Sequence, residues 1–255
     1  MNLDRLQELC LDYLEGVMAA DPAHDLTHVE RVVQNTLLLT EAENGDFAVS
    51  VPAAWLHDCV AVAKDSPLRS RGSRLAADAA IDFLSGIDYP ADRLPEVHHA
   101  IEAHSFSAAI KPLSLEARIV QDADRLDSLG AIGIARCLLV GGHLRRPLCD
   151  AGDPFCDTRE PDDSLYTLDH FYAKLFKLPD TMQTEAGREE AQRRSRGRTG
   201  FRGAGEEPHV EVTDVALQVL DPLEAVVLPP LPLLPPANRF DHTCLPGRLF
   251  HKDRD

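Results

Sequence analysis

The sequence predicts an all-α domain followed by an irregular tail. Three observations carry this. Apolar residues recur at spacings of three and four through most of residues 1–192. Convincing period-2 alternation, the signature of half-buried strands, is absent from the same stretch. From residue 193 the chain turns Arg/Gly-rich, in RRSRGRTGFRGAG, and then Pro-rich, in LPPLPLLPP, where proline's missing donor and fixed φ rule out a helix or a central strand. The domain boundaries are therefore set at 1–192 and 193–255.

The balance of 44% hydrophobic and 27% charged residues over 255 positions is ordinary for a globular chain with a sizeable core. The net charge is -16, and residues 193–255 carry 9 basic and 9 acidic groups, so the acidity belongs wholly to the first domain. That argues against general attraction to nucleic acid or to an anionic membrane surface. The basic RRSRGRTGFRG run is not enough to reverse this expectation. No apolar run approaches the roughly 18 residues needed to cross a bilayer. The start, MNLDRLQELCLDYL, lacks an uninterrupted apolar region and is read as helix rather than signal peptide. Six scattered cysteines, without a C-x-x-C pair, fit reduced thiols in a cytoplasmic protein.

The elements follow in order. Leu3, Leu6, Leu9, Cys10, Tyr13, Leu14 and Val17 trace one amphipathic stripe, and Val29, Val32, Val33, Thr36, Leu37 and Thr40 a second, with Asp25 or Thr27 as its cap. PAAWLHDCVAVA reads as a buried helix with Pro52 in its first turn. SRLAADAAIDFL ends before Gly86, a suitable terminator. PEVHHAIEAH, LEARIVQDADRLD, AIGIARCLLV, LDHFYAKLFKL and TEAGREEAQRR complete the helices. Gly141-Gly142 and RRPLCDAGDPFCDTREPDD between them are read as a long loop, and HVEVTDVALQVL in the tail is left open between strand and helix.

The candidate chemistry lies in histidines and aspartates. His57 and Asp58 interrupt an apolar segment, where isolated polar groups are costly unless partnered. Asp124 follows an apolar stretch, and His28 lies in AHDLTHVERV. Imidazole nitrogens and carboxylate oxygens together suit a borderline divalent metal, and four such ligands leave positions open for water. A core histidine hydrogen-bonded to a neighbouring acid or carbonyl is the competing reading for His57. Three residues separate Asp124 from Asp127, so the two lie near one helix face. Asp127 is a candidate to orient a ligand or to pair with Arg125. Lys64, Arg69, Arg71 and Arg74 form a local basic patch in KDSPLRSRGSR, suited to phosphate oxygens or simply to balancing nearby acids.

Taken together, HDLTHVERV, AAWLHD and IVQDADRLDSLGAIGIAR resemble the HD-domain superfamily of metal-dependent phosphohydrolases, and within it the short stand-alone bacterial HD hydrolases. The resemblance covers residues 1–192, including LDHFYAKLFKLPDTMQTEAG. It implies an HD-domain helical bundle with a divalent ion (Mn, Co, Ni, Fe, Mg or Zn) held by His28, His57, Asp58 and Asp124. His24-Asp25 then becomes a decoy pair, with Asp25 either behind a ligand or capping a helix. Lys64, Arg71 and His104 become candidate substrate contacts. His99 with His104 would be needed for a second ion, at a spacing unlike that of dinuclear members.

The implied reaction is hydrolysis of a phosphate ester or anhydride of a nucleotide by a metal-bound water, with the general base unassigned among Glu30, Glu102 and others. An HD module that binds a nucleotide without turnover is the alternative. A strand-borne D-x-D phosphatase does not suit a motif lying mid-chain among helices. Close relatives should end in a further amphipathic helix where this chain becomes Pro-rich. Either a linker with an appended segment or a shifted reading frame accounts for that, and either residues 193–255 or a homodimer contact is expected to cover the apolar surface left behind.

Overall fold

A computed structural model describes residues 3–17, 26–60, 62, 68–106 and 108–195. The predicted tail lies outside the described residues except for its first three positions, and so do His24, Asp25 and Lys64. Among the described residues the chain is all-α, without a strand. The α-helices are α1 (Leu3–Val17), α2 (Leu26–Glu43), α3 (Phe47–Leu56), α4 (Gly72–Gly86), α5 (Leu94–His104), α6 (Leu115–Asp127), α7 (Gly130–His143), α8 (Asp169–Ala173) and α9 (Glu185–Ser195). Short 3-10 turns at Arg69–Arg71 and Leu175–Thr181 precede α4 and follow α8. None of these helices is long and apolar enough to cross a membrane.

Helix α6 is the hub, packed against α2, α3, α5 and α9. Its span matches the sequence reading because Ser114 caps it by accepting from Ala117 N, and its apolar positions Ala117, Ile119, Val120, Ala123 and Leu126 are all buried. Leu6 and Leu14 of α1, Leu56 of α3, Leu84 of α4 and Ile101 of α5 join them in the core.

Helix α3 departs from the expectation. It starts at Phe47, five residues earlier than predicted, because Asp46 caps it through Ala48 N at 2.8 Å. Pro52 is therefore inside the helix rather than in its first turn. A proline nitrogen carries no hydrogen, so the Ala48 carbonyl loses its helical donor. The Tyr89 hydroxyl supplies one instead, at 2.7 Å. The helix ends at Leu56, which leaves His57 and Asp58 in the turn that follows it.

Gly141-Gly142 also departs from the loop reading, since α7 runs through both to His143. A Cβ on Gly141 would lie 2.2 Å from Thr167 Oγ1, so the bare backbone makes room for the returning chain. That return is fixed by Thr167 N and Leu168 N donating to the carbonyls of Pro147 and Leu148. The expected long loop occupies the residues between. LDHFYAKLFKL is split into α8 and the 3-10 turn that follows it.

Candidate metal centre

Three imidazoles meet where α2, the end of α3 and the end of α5 converge. His57 is fully buried, and its Nδ1 lies 2.8 Å from the Ala54 carbonyl. A carbonyl only accepts, so the proton is on Nδ1 and the Nε2 lone pair is open. The His104 ring is set the same way, with Nδ1 2.7 Å from the Ile101 carbonyl. His28 Nδ1 donates to Asp127 Oδ2 at 2.7 Å. The Nε2 atoms of His28 and His57 then face each other at 3.4 Å. The His57 ring stands edge-on to both of the others, with centroids 5.4 Å from His28 and 4.9 Å from His104.

Two carboxylates close on these nitrogens. Asp58 Oδ2 lies 3.6 Å from His57 Nε2 and 3.8 Å from His28 Nε2, and Asp58 Oδ1 is 3.6 Å from His104 Nε2. Asp124 Oδ1 is 3.6 Å from His28 Nε2. Among the described residues, His28, His57 and Asp58 form the one group of three or more His, Cys, Asp or Glu side chains whose donor atoms all lie within 4.8 Å of one another. The imidazoles are buried while Asp58 and Asp124 keep 29% and 28% of their side chains exposed, so the cluster opens to solvent on its acidic side.

The electrostatics suit a cation. Burial is the main cause that pushes His57 down to about 4, and the neighbouring imidazoles add to it while Asp58 and Asp124 oppose it. Burial by itself would raise Asp58, but His57, His104 and His28 together hold its carboxyl well below the usual range. Asp124 is lowered by the same imidazoles against the same burial. Burial keeps the His57 ring neutral with its lone pair inward, whereas at His104 the same burial is overcome by Asp58 and Asp124, which raise it. These nitrogen donors and ionised carboxylates are of the kind that hold a borderline divalent ion.

Asp127, three residues past Asp124, is the group behind His28. It is buried, and besides the imidazole it accepts from Arg31 Nε at 2.6 Å, Arg31 Nη2 at 3.0 Å and Arg136 Nη1 at 2.8 Å. Its competing partner from the sequence, Arg125, instead donates to the Thr181 carbonyl at 2.6 Å. Arg31 was within reach of sequence reasoning, because it follows His28 by three on α2 and so shares its face. Arg136, on the next helix, had no spacing signal.

The remaining candidates are scattered. Arg71 is exposed on the turn before α4, and Arg74 pairs with Glu102 at 3.2 Å. His99 accepts from Leu113 N at 2.9 Å through Nε2, which commits that nitrogen away from a second ion with His104. Cys10 and Cys59 are buried thiols, and both are pushed up to about 12, chiefly by that burial.

The family model described as HD domain matches residues 25–129. The Bacillus subtilis (strain 168) protein YpgQ is 34% identical over 175 residues, which is 67% of this chain and 77% of YpgQ. The chain belongs to the HD-domain family. Solved structures of HD-domain relatives agree. A protein from Lactobacillus plantarum is 29% identical with a TM-score of 0.63, covering 79% of this chain and 94% of its own. Bacillus subtilis YpgQ in complex with ADP is 28% identical with a TM-score of 0.61, covering 78% and 92%. An HD-superfamily hydrolase from Bacillus thuringiensis is 32% identical with a TM-score of 0.59, covering 78% and 93%. The resemblance read from the motifs is thus met by both sequence and fold, and it places this HD domain among the HD-superfamily hydrolases.

Proposed function

We propose that this HD domain is a metal-dependent phosphohydrolase, with His28, His57, Asp58 and Asp124 as ligands of a divalent ion and a phosphate ester or anhydride of a nucleotide as substrate. The observation that carries the reading is the pair of Nε2 atoms 3.4 Å apart, each on a ring whose other nitrogen is already committed to an oxygen. Two lone pairs aimed at each other repel, and a shared proton or a metal ion between them removes the repulsion. When bound, a divalent ion supplies Lewis acidity toward a phosphoryl oxygen and lowers the pKa of a coordinated water.

The chain's own residues do the rest. Asp127 fixes the His28 ring and favours its inward lone pair. Ala54 and Ile101 fix the other two rings through their carbonyls. His104, whose Nε2 lies 3.6 Å from Asp58 Oδ1, belongs to the reading as a contact for a phosphoryl oxygen or a departing one. Lys64 and Arg71 belong to the reading as phosphate-binding cations, carried by the sequence patch alone. Hydrolysis adds the water oxygen to phosphorus, breaks the P–O bond to the leaving group, and delivers the water's proton to the departing oxygen. The ADP held by YpgQ supports a nucleotide as the ligand class. The scattered cysteines favour a cytoplasmic setting.

The test is turnover of a nucleotide panel by purified protein supplied with Mn, Co, Ni or Mg. His57→Ala and Asp58→Ala should each abolish metal-dependent turnover while the protein remains folded by circular dichroism. Full turnover in either variant would overturn the ligand assignment. Because a bound ADP speaks to binding and not to chemistry, nucleotide binding without turnover under every metal would favour the sensor reading instead.

A further inference from the structure

Phe106 is a large apolar side chain left in the open just past His104 at the end of α5. It is 57% exposed although apolar, and it follows His104 by two residues, which puts the two Cα atoms within about 7 Å. The Lys174 ammonium stands over its ring, 5.0 Å from the centroid. Lys174 comes from a remote part of the chain, between α8 and the following 3-10 turn, and its neighbours Phe171 and Leu175 are buried anchors. That turn ends at Thr181, whose carbonyl takes the Arg125 hydrogen bond, and Arg125 is the residue next to Asp124. Two separate segments, each tied to a residue of the centre or its neighbour, thus bring an aromatic face and a cation together.

From this we infer that Phe106 and Lys174 form the outer subsite of the substrate, with Phe106 as the stacking platform for a nucleobase and Lys174 as the cation for the phosphate chain. The inference rests on the nucleotide reading above and deepens it. An exposed ring beside the candidate centre offers a flat apolar surface to a partner, and every base offers a π face. Stacking is tolerant of base identity, so the subsite selects for nucleotides over simple phosphates more than for one base over another. The cation-π contact keeps Lys174 near the ring before ligand arrives, and a phosphate is the stronger partner for a point-charge ammonium.

The experiment is calorimetric binding of ADP and of inorganic pyrophosphate to the full chain in the presence of Mn, for the wild type, Phe106→Ala, Phe106→Trp and Lys174→Ala. Phe106→Ala should weaken ADP by about tenfold or more, the scale of one lost base stack, and weaken pyrophosphate far less, through the loosened Lys174 alone. Phe106→Trp should restore ADP, and Lys174→Ala should weaken both ligands. Unchanged ADP affinity in Phe106→Ala, or an equal loss for ADP and pyrophosphate, overturns the inference. Wild-type protein that binds neither ligand overturns it too. A selective loss of ADP in Phe106→Ala, combined with absence of turnover by the wild type under any metal, would uphold the subsite while the hydrolase reading fell.

Discussion

Asp122 and Asp127 are buried carboxylates on the same helix, α6, five residues apart, and their surroundings are opposite. Asp127 faces the metal centre and is surrounded by His28, Arg31 and Arg136. Burial, the largest single influence, works to raise its pKa. The hydrogen bonds from His28 and Arg31 and the charge of Arg136 outweigh it and hold the group at about 2. Asp122 faces α9. Its oxygens accept from Gln183 N at 2.9 Å, Thr184 N at 2.8 Å and Thr184 Oγ1 at 2.7 Å. Those donors are neutral, so burial wins and the pKa is raised. The same residue type in QDADRLD thus fastens the last helix on one side and orients a candidate ligand on the other. Direction around the helix decides, not identity.

The comparison is broken most forcefully at Asp127. Asp127→Ala leaves Arg31, Arg136 and the His28 imidazole without their shared acceptor, and removing one member of a buried ionic group costs about 3–5 kcal/mol. Metal affinity should fall by about 10–100-fold, the usual effect of losing a group that orients a ligand histidine. Urea unfolding and Mn titration measure the two effects, and unchanged metal affinity would deny Asp127 its orienting role.

Asp122→Ala should be a purely structural lesion. It strands the buried Thr184 N–H and the part-buried Gln183 N–H at the entry of α9, a loss of about 1–3 kcal/mol, with Mn affinity unaltered. A fall in metal affinity comparable to that of Asp127→Ala would erase the distinction between the two faces. Gly187→Ala sharpens the same point without removing the carboxylate. A Cβ there would lie 2.5 Å from Asp122 Oδ2 and 2.6 Å from Thr184 Oγ1, both held in the buried capping network. A shift of about 1–2 kcal/mol is expected, within the usual range for overpacking, again with the metal centre unaffected.

A third buried carboxylate, Asp169 at the start of α8, gives the smallest effect and a pH signature. Its hydrogen bonds from Arg159 are the main cause of its lowered pKa, with burial opposing. A folded pKa below the unfolded value of 3.8 means stability that is present above pH 3.8 and lost as pH falls through the folded value. Asp169→Asn should cost about 1 kcal/mol at neutral pH, and its difference from wild type should shrink as urea midpoints are followed down below pH 3.8.

Much of this was legible before any coordinates. Leu115–Asp127 was readable because its period, its Ser114 cap and its burial agree. The His28, His57 and Asp58 cluster was legible only as motifs in a fixed order, since nothing in spacing says that residues 29 apart come within 4.8 Å of one another. Helix α3 was misplaced because Pro52 normally marks a first turn, and the rescue comes from Tyr89, a tertiary partner invisible to local pattern. Gly141-Gly142 reads as a break by propensity, yet Thr167 needs that gap. Arg136 was missed because its link to Asp127 crosses between helices, whereas Arg31 shares a face with His28 and was available to the same reasoning that found Asp127.

His57 and His104 are each anchored by a carbonyl one turn earlier on their own helices, so each ring travels with its helix as a rigid unit. The buried residues before them mix alanines, Ala53 and Ala54 on α3 and Ala100 and Ala103 on α5, with the larger Trp55, Leu56 and Ile101, and the two helices pack together. The placement of the two rings relative to each other consequently follows the packing of α3 on α5. A substitution that moved one helix against the other would displace a ring bodily without turning it, so the apolar interior takes part in setting the spacing of the candidate ligands.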